Sequence, residues 1–259
     1  MPCCKADIHG WCKELEVVRY RDEDDREYCV FHAPKGEKGV TLIEFNELLF
    51  ARIDLSKNLG ICDLSGTVFE GDIYFNEYNI YNPLIKLNFS GAHFSRITDF
   101  SETHFIDLAD FSDAHFSGVA DFSKTVFNGI SVFSKARFNG VADFKDAFFS
   151  RVADFSETQF NGVADFSETQ FNGIAYFKEA GFSGVARFSE AQFSGIAYFK
   201  EAGFSGVAYF ADETLKNGVF FNDAGIKGRT SSDSIDLRNV SPADTDIKNL
   251  DFVNPPSSN

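Results

Sequence analysis

The chain has 259 residues, including 32 phenylalanines but 1 methionine and 1 tryptophan, and 39 acidic against 24 basic side chains give a formal charge of -15 at pH 7. This acidity argues against direct binding to nucleic-acid phosphates or to an anionic bilayer, and an aromatic content of 16% excludes a disordered acidic tail. No run of about 18 apolar residues is present, so the sequence predicts no membrane-spanning helix.

Residues 1–40 differ in composition from the rest and contain four of the five cysteines. Cysteine and histidine ligands in a segment too small for a core of its own predict a structural, tetrahedral zinc site. The expected ligands are Cys4, Cys12, Cys29 and His32, with Cys3 as the alternative to Cys4. The other interpretation is a set of small thiols without metal, because the first two cysteine ligands are separated by seven or eight residues rather than two.

The cellular compartment of the protein is predicted from its N-terminal residues and its cysteines. The first residues show no apolar stretch typical of a secretory signal. Cysteines in a chain without export signals are expected to be reduced thiols rather than disulfides. We therefore expect a cytoplasmic protein.

Residues 41–58 are expected to form a capping helix and a linker. Thr41 and Glu44 have the spacing of a capping box, in which each side chain bonds the other residue's backbone N–H. Apolar side chains then follow on one helical face: Leu42, Phe45, Leu49 and Ile53. A helix over residues 41–53 would cover the first coil of whatever follows, whose open strand edges need protection.

Residues 59–253 are dominated by a repeat of eleven residues. From Phe89 to Phe210, phenylalanine recurs at steps that alternate between five and six without a slip. In an α-helix a step of five would place successive rings about 140° apart, so the rings would not share a face. In an extended chain, each Phe and the small residue two positions before it point to the same side. The sequence therefore predicts short strands that stack as a β-solenoid.

This tract is similar to the pentapeptide-repeat family, whose unit is Ala-(Asp or Asn)-(Leu or Phe)-x-x. The resemblance is carried by residues 153–161, which read ADFSETQFN, and it covers roughly residues 59 to 253. It implies an all-β, right-handed four-sided β-solenoid. The plain form of the family steps by five, whereas every second step here is six. Four sides then predict turns of about 22 residues, with the extra residue at a corner near a recurring glycine.

Several details of the register follow from the same pattern. Asp107 and Arg151 replace the recurring glycine, so that position does not require a positive φ. The phase slips around Pro83, and downstream Leu215, Phe221, Ile226 and Leu237 keep the eleven-residue spacing. Residues 254–259 are expected to be a loose tail. No helix pattern covers the C-terminal end of the solenoid, which leaves a homodimer through that end as an open alternative.

The residue before the first Phe of each unit points outward and carries much of the charge. With turns of about 22 residues, Asp99, Asp121, Asp143 and Asp165 form an acidic ladder down one face, and Tyr176 and Tyr198 stack on the opposite face. Neighbouring like charges repel, at a cost that water and salt reduce. The ladder either keeps a Phe-filled rod soluble or forms a binding face, and the sequence leaves both open.

The chemistry of these residues predicts a protein that is not an enzyme. No glycine-rich phosphate loop is found, and the flat outward faces of a rod offer no cleft that excludes water. A metal-dependent enzyme is disfavoured because four protein ligands close the zinc site. The leading hypothesis is a noncatalytic scaffold that presents its flat acidic face to a protein partner. The resemblance implies an alternative known for some four-sided relatives, a DNA-mimicking inhibitor or protector of a type II topoisomerase such as gyrase.

Overall fold

The computed structural model describes Cys3, residues 5–13, 15, 17–56, 60–77 and 86–210, and the strand residues 219–220, 225–226 and 251–252. Over these residues the chain forms a four-sided solenoid of parallel strands, with a helix at its N-terminal side and a small cysteine and histidine cluster nearby. The predicted all-β solenoid, its helix and the cluster are confirmed. Pro83, Leu215, Phe221 and Leu237, used for the predicted register, lie outside the described residues.

Each side of the solenoid is one parallel sheet, numbered here in the order in which the chain visits it. Face 1 has the strands Ile61–Asp63, Lys86–Asn88, Ala109–Asp110, Ser131–Val132, Ala153–Asp154, Ala175–Tyr176, Ala197–Tyr198 and Val219–Phe220. Face 2 has the strands Val68–Phe69, His93–Phe94, His115–Phe116, Arg137–Phe138, Gln159–Phe160, Gly181–Phe182, Gly203–Phe204, Gly225–Ile226 and Asp251–Phe252. Face 3 has the strands Ile73–Tyr74, Thr98–Asp99, Ala120–Asp121, Ala142–Asp143, Ala164–Asp165, Ala186–Arg187 and Ala208–Tyr209. Face 4 has the strands His104–Phe105, Val126–Phe127, Phe148–Phe149, Gln170–Phe171 and Gln192–Phe193.

The register agrees with the predicted turn of 22 residues. Phe116 pairs with Phe138, and Arg187 meets Asp165, its partner 22 residues earlier. The first coil is longer, since Val68 pairs with His93 at an offset of 25 residues. The irregular phase that the sequence shows before Phe89 is thus accommodated within one coil, and every later coil on these faces up to residue 210 keeps the same length.

Stacked phenylalanine rings fill the interior. In one column Phe100, Phe122, Phe144 and Phe166 have successive ring centroids 5.0, 4.9 and 4.9 Å apart and nearly parallel planes. Rings of neighbouring columns meet edge to face, as Phe144 and Phe155 do at 5.3 Å. Both arrangements are favourable for aromatic rings, by about 0.5–1.5 kcal/mol per pair beyond the apolar area that they bury. The regular Phe spacing therefore creates one continuous core.

The outward Asp of a unit stabilises the corner that follows it. Asp121 accepts a hydrogen bond on Oδ1 from the N–H of Ser123 at 2.8 Å, and Thr125 N–H closes the turn on the carbonyl of Phe122 at 3.2 Å. Between them Lys124 has a φ of 55°, in the left-handed region. Equivalent non-glycine residues with positive φ recur every eleven residues: Glu102, Asp113, Lys135, Asp146, Glu157, Glu168, Glu179, Glu190 and Glu201. Such a conformation costs roughly 1–2 kcal/mol, which the Asp bond partly offsets.

The recurring glycine serves a different purpose. Gly162 has no positive φ, as the replacement of this glycine by Asp107 and Arg151 predicts. A Cβ on Gly162 would overlap the carbonyl oxygen of Gly140 in the preceding coil. Glycine is thus favoured here because two backbones approach closely.

The capping helix spans Leu42–Ser56, three residues further than predicted. The capping box is present, with Thr41 N–H donating to Glu44 Oε2 at 2.8 Å and Glu44 N–H to Thr41 Oγ1 at 3.2 Å. Phe45, Leu49 and Ile53 are buried as predicted. Leu42 is 51% exposed, which corrects its assignment to the buried face. Its δ-carbons lie over Gly71 at the margin of the first coil, where little protein surrounds them.

Within the described ranges, no helix combines the length and the apolar character needed to cross a lipid bilayer.

Candidate metal centre

The first part of the chain folds into a short helix, a hairpin and a tight turn. The helix Ala6–His9 separates Cys3 from Cys12, and Gly10 reverses the chain between them with a φ of 63°. The strands Val17–Arg21 and Glu27–Cys29 pair antiparallel, so that Cys29 ends the hairpin. These elements bring Cys29 close to Cys3 and Cys12.

A buried lysine holds the turn that carries the last two ligands. The N–H groups of His32 and Ala33 both donate to the carbonyl of Cys29, at 3.1 and 2.9 Å. Lys38 Nζ donates to the carbonyls of Val30, Phe31 and Ala33, at 2.6, 3.2 and 3.2 Å. Burial lowers the pKa of Lys38 to about 8. Through its three hydrogen bonds, the Lys38 side chain fixes three backbone carbonyls beside the cluster.

Three sulfur atoms and one ring nitrogen converge in the interior. The ligand atoms of Cys3, Cys12, Cys29 and His32 all lie within 4.8 Å of one another, and all four residues are buried. His32 Nδ1 is 3.3 Å from Cys29 Sγ and 3.6 Å from Cys3 Sγ. A tetrahedral zinc with ordinary bond lengths gives S···N separations of about 3.5 Å. The group has the donor types and the spacing to hold a metal ion.

The orientation of His32 suits a metal ligand. Its Nε2 lies 3.0 Å from the carbonyl oxygen of Ser65, which can only accept, so Nε2 carries the proton. Nδ1 then presents its lone pair to the sulfur atoms. Metal-binding histidines are commonly held in this way by a second hydrogen bond. Trp11 Nε1 also lies within 3.3 Å of the Ser65 carbonyl and within 3.2 Å of its hydroxyl.

Without a metal the three thiols hold their protons unequally. The hydrogen bond from the Cys29 thiol is the largest influence on Cys3 and lowers its pKa to about 3. The same bond raises the pKa of Cys29, and burial raises that of Cys12 to about 12. Cys3 is therefore the cysteine that gives up its proton most readily, and a divalent cation would displace the protons that the cluster still holds.

The structure brings together most of the ligands predicted from the sequence. Cys12, Cys29 and His32 are in the cluster, together with Cys3, the alternative first ligand. Cys4 lies outside the described residues. Cys62 is buried in the solenoid, apart from this cluster. The sequence did not predict that Trp11, Lys38 and Ser65 contribute to the site. Only Trp11 had a signal in the sequence, because it is a lone tryptophan in a segment without a core.

The acidic ladder lies on face 3. Asp99, Asp121, Asp143 and Asp165 are successive register partners, and each Oδ1 accepts a backbone N–H two residues later at 2.8–2.9 Å. At its ends, Asn76 donates to Asp99 Oδ2 and Arg187 to Asp165 Oδ2, both at 3.1 Å. Burial is the main cause that raises the pKa of Asp143, and Asp121 and Asp165 add to it.

On the opposite side, Tyr176 and Tyr198 stack on face 1 with ring centroids 5.4 Å apart. The outward surface therefore changes along the rod, from carboxylates in its earlier coils to aromatic rings in its later ones.

A closed Cys₃His cluster at one end of a four-sided, in-register β-solenoid defines a repeat protein with a candidate structural metal centre. Comparison with known families agrees, because a family profile described as Pentapeptide repeats (9 copies) matches residues 86–126, 122–170, 149–192 and 166–214, together about half of the chain. The chain belongs to the pentapeptide-repeat family. No curated protein and no solved structure matches it significantly.

Proposed function

We propose that the protein is a noncatalytic repeat scaffold that presents the acidic ladder of face 3 to a protein partner. The observation that carries this proposal is the in-register row of Asp99, Asp121, Asp143 and Asp165, four like charges on one face. Each Asp accepts a backbone N–H at its corner, but an uncharged Asn would offer the same acceptor. Like charges on neighbouring strands reduce stability, so the charge itself is favoured by solubility or by binding rather than by the fold. Oδ1 of each Asp already bonds the backbone, and among the described residues no side chain donates a hydrogen bond to Oδ2 of Asp121 or Asp143.

The partner that suits this face has a basic, flat or extended surface. Carboxylates at the spacing of neighbouring strands, about 4.8 Å, offer a regular row of acceptors to lysine or arginine side chains. Such contacts speed association and weaken with salt. The flat faces and the use of repeat Asp side chains in corners support a noncatalytic role. Reduced thiols support a cytoplasmic location.

We further propose that Cys3, Cys12, Cys29 and His32 bind one structural zinc ion. The donor set, the burial and the fixed tautomer of His32 support zinc, and four protein ligands leave no open position for catalysis. When bound, zinc would supply a cross-link among segments that are too small to form a core. The contacts of His32 and Trp11 with Ser65 would then join this cross-link to the first coil.

Charge removal that spares the corners tests the scaffold. Asn retains an Oδ1 acceptor, so a variant with Asn at positions 99, 121, 143 and 165 keeps the turn bonds and loses four charges. A control variant with Gln at Glu157, Glu168, Glu179 and Glu190 loses four charges elsewhere. Proteins captured from the native cytoplasm by wild type and by the Gln control, in a salt-sensitive manner, should be lost with the Asn variant. Equal capture by all three would contradict the proposal.

A DNA mimic that acts on a type II topoisomerase is the weaker alternative. A B-DNA strand has a phosphate about every 3.4 Å, whereas strand spacing places one carboxylate about every 4.8 Å. The bond between Arg187 and Asp165 also neutralises one end of the ladder.

A further inference from the structure

A half-open pocket of about 480 Å³ lies where the Cys/His segment, the capping helix and the first coil meet. Trp11 lines the pocket from the first of these, Leu48, Arg52 and Leu55 line it from the helix, and Ile61 and Asp63 line it from the coil. The volume falls in the range of about 300–1,000 Å³ that is typical of small-ligand sites. The pocket is separate from the acidic ladder and from the metal-binding atoms.

The mouth of the pocket exposes large apolar side chains. Leu55 is 76% exposed, Ile61 48% and Leu48 45%. Packing in the core therefore does not explain why these three side chains are apolar. Leu48 and Leu55 are seven residues apart and so lie on one side of the helix. An exposed apolar cluster around a concave site is a feature of binding surfaces. The walls therefore favour a ligand with an apolar body.

One cationic group enters this apolar wall. The guanidinium carbon of Arg52 lies 4.1 Å from the ring centroid of Trp11, and Nε donates to the carbonyl of Asp63 at 3.3 Å. Among the described residues, the two terminal nitrogens of Arg52 have no hydrogen-bond partner. Asp63 uses its own Oδ1 to accept the N–H of Ser65 at 3.0 Å. The Trp11 ring packs against the face of the planar guanidinium, and Nε is hydrogen-bonded to Asp63. The edge that carries the two terminal nitrogens is therefore available to a bidentate acceptor.

We propose that this pocket binds an apolar ligand that ends in a carboxylate. The apolar body packs between Leu48, Leu55 and Ile61, and the carboxylate accepts hydrogen bonds from the terminal nitrogens of Arg52. Two sources offer this chemistry: a free medium-chain carboxylate, and the C-terminal residue of an apolar peptide. Neither the acidic ladder nor the scaffold function is needed for this site.

The lone tryptophan makes the site directly measurable. Trp11 is the single tryptophan of the chain and lines the pocket, so its fluorescence reports on occupancy without a label. The probe is decanoate, titrated into the full-length purified protein, with decanol as the uncharged analogue. Decanoate should bind at least about tenfold more tightly than decanol, as a charge-assisted hydrogen bond implies. Equal affinities for the two would overturn the proposal.

Two variant pairs locate the site. Arg52→Gln should bring the affinities for decanoate and decanol within about twofold of each other, while Arg52→Lys should retain part of the preference. Leu55→Glu places a repelling charge at the mouth, at a side chain too exposed to be needed for folding, and should weaken decanoate binding at least about tenfold. Leu42→Glu, on the same helix but outside the pocket, is the matched control and should leave binding unchanged. Equal effects of Leu55→Glu and Leu42→Glu would refute the location.

A peptide comparison distinguishes the sources. Acetyl-Leu-Leu-Leu is tested with a free and with an amidated carboxyl end. Binding of the free acid but not of the amide assigns the site to peptide C-termini as well as to free carboxylates, and binding of decanoate alone assigns it to the latter.

Discussion

His32 donates a hydrogen bond from Nε2 to the carbonyl oxygen of Ser65 at 3.0 Å, across 33 residues of sequence. The bond joins the cluster to the first coil of the solenoid, and Trp11 contacts the same carbonyl. A second link is the bond from Val68 N–H to the Phe31 carbonyl at 2.8 Å. Stability in repeat proteins is mostly a nearest-neighbour property, so this coil is the part of the solenoid that should respond to the cluster.

Metal binding is the first prediction. Protein grown with adequate zinc and purified under reducing conditions should contain one zinc ion per chain by elemental analysis. His32→Ala should lower that content and increase hydrogen exchange in residues 3–56 and in the first coil, because the Ser65 bond is lost, but not beyond residue 110. His93→Ala, at an exposed position of face 2, is the control. Absence of zinc from the wild-type protein would contradict the assignment.

The corner bonds are tested at Asp154, whose register partners Val132 and Tyr176 carry no charge. Asp154→Ala removes the acceptor of the Ser156 N–H and should lower the free energy of unfolding by about 1 kcal/mol. Asp154→Asn keeps an acceptor and should change it by less than about 0.5 kcal/mol. Urea unfolding measures both. Similar losses for Ala and Asn would show that charge, rather than the corner bond, matters at this position.

Stability should depend on pH through Asp143, which lies between Asp121 and Asp165. Burial, with these two neighbours, raises the pKa of Asp143 in the folded protein above its ordinary value. Protonated Asp143 therefore stabilises the folded protein at pH values below the ordinary pKa of an Asp. This stabilisation is lost as the pH rises through the higher pKa of the folded state. Asp143→Asn should raise the melting temperature at pH 7, and this gain should shrink on acidification. Asp154→Asn lacks the charged neighbours and should give no comparable gain. A gain independent of pH would contradict this account.

The glycine positions provide a matched pair. Gly162→Ala forces a Cβ against the carbonyl of Gly140 and should destabilise the protein by about 1–3 kcal/mol. Gly203 has open space where its Cβ would be and no positive φ, so Gly203→Ala should be neutral within about 0.5 kcal/mol. Thermal unfolding of the two variants compares them directly. Equal effects would argue against close backbone approach as the reason for the recurring glycine.

The topoisomerase alternative is tested with a gyrase supercoiling assay. We expect no inhibition and no protection, because the ladder is sparser than the phosphates of DNA and one end is neutralised by Arg187. Potent inhibition that weakens with salt and disappears in the four-Asn variant would instead favour DNA mimicry over the scaffold function.

The solenoid could be predicted from the sequence because one property, the spacing of phenylalanine, determines both strand direction and register. Alternation of five and six residues fixes which side chains point inward at every step. The role of the outward Asp was missed, since a charged residue at a regular outward position is typical of a solvated surface. Its bond to the backbone becomes visible only with the positive φ of residues such as Lys124.

The candidate metal centre was predicted in ligand type but not in its surroundings. Cysteine and histidine residues in a small segment indicate a metal site through their chemistry alone. The partners of these ligands depend on how separate segments dock. Lys38 acts through a tight turn, and Ser65 belongs to another part of the fold. No periodicity links these residues, so the sequence offers no signal for their contacts.

The common register of 22 residues has a consequence for how such a chain changes in length. Gain or loss of one whole coil leaves every side chain on its original face, so the row of carboxylates stays continuous. Insertion or deletion of eleven residues rotates the following coils by half a turn. Side chains that lay on face 3 in those coils then lie on face 1. Residues 173–186 and 195–208 have identical sequences and lie one coil apart, as duplication of a complete coil would leave them. The repeat thus permits evolution of rod length without redesign of its surface.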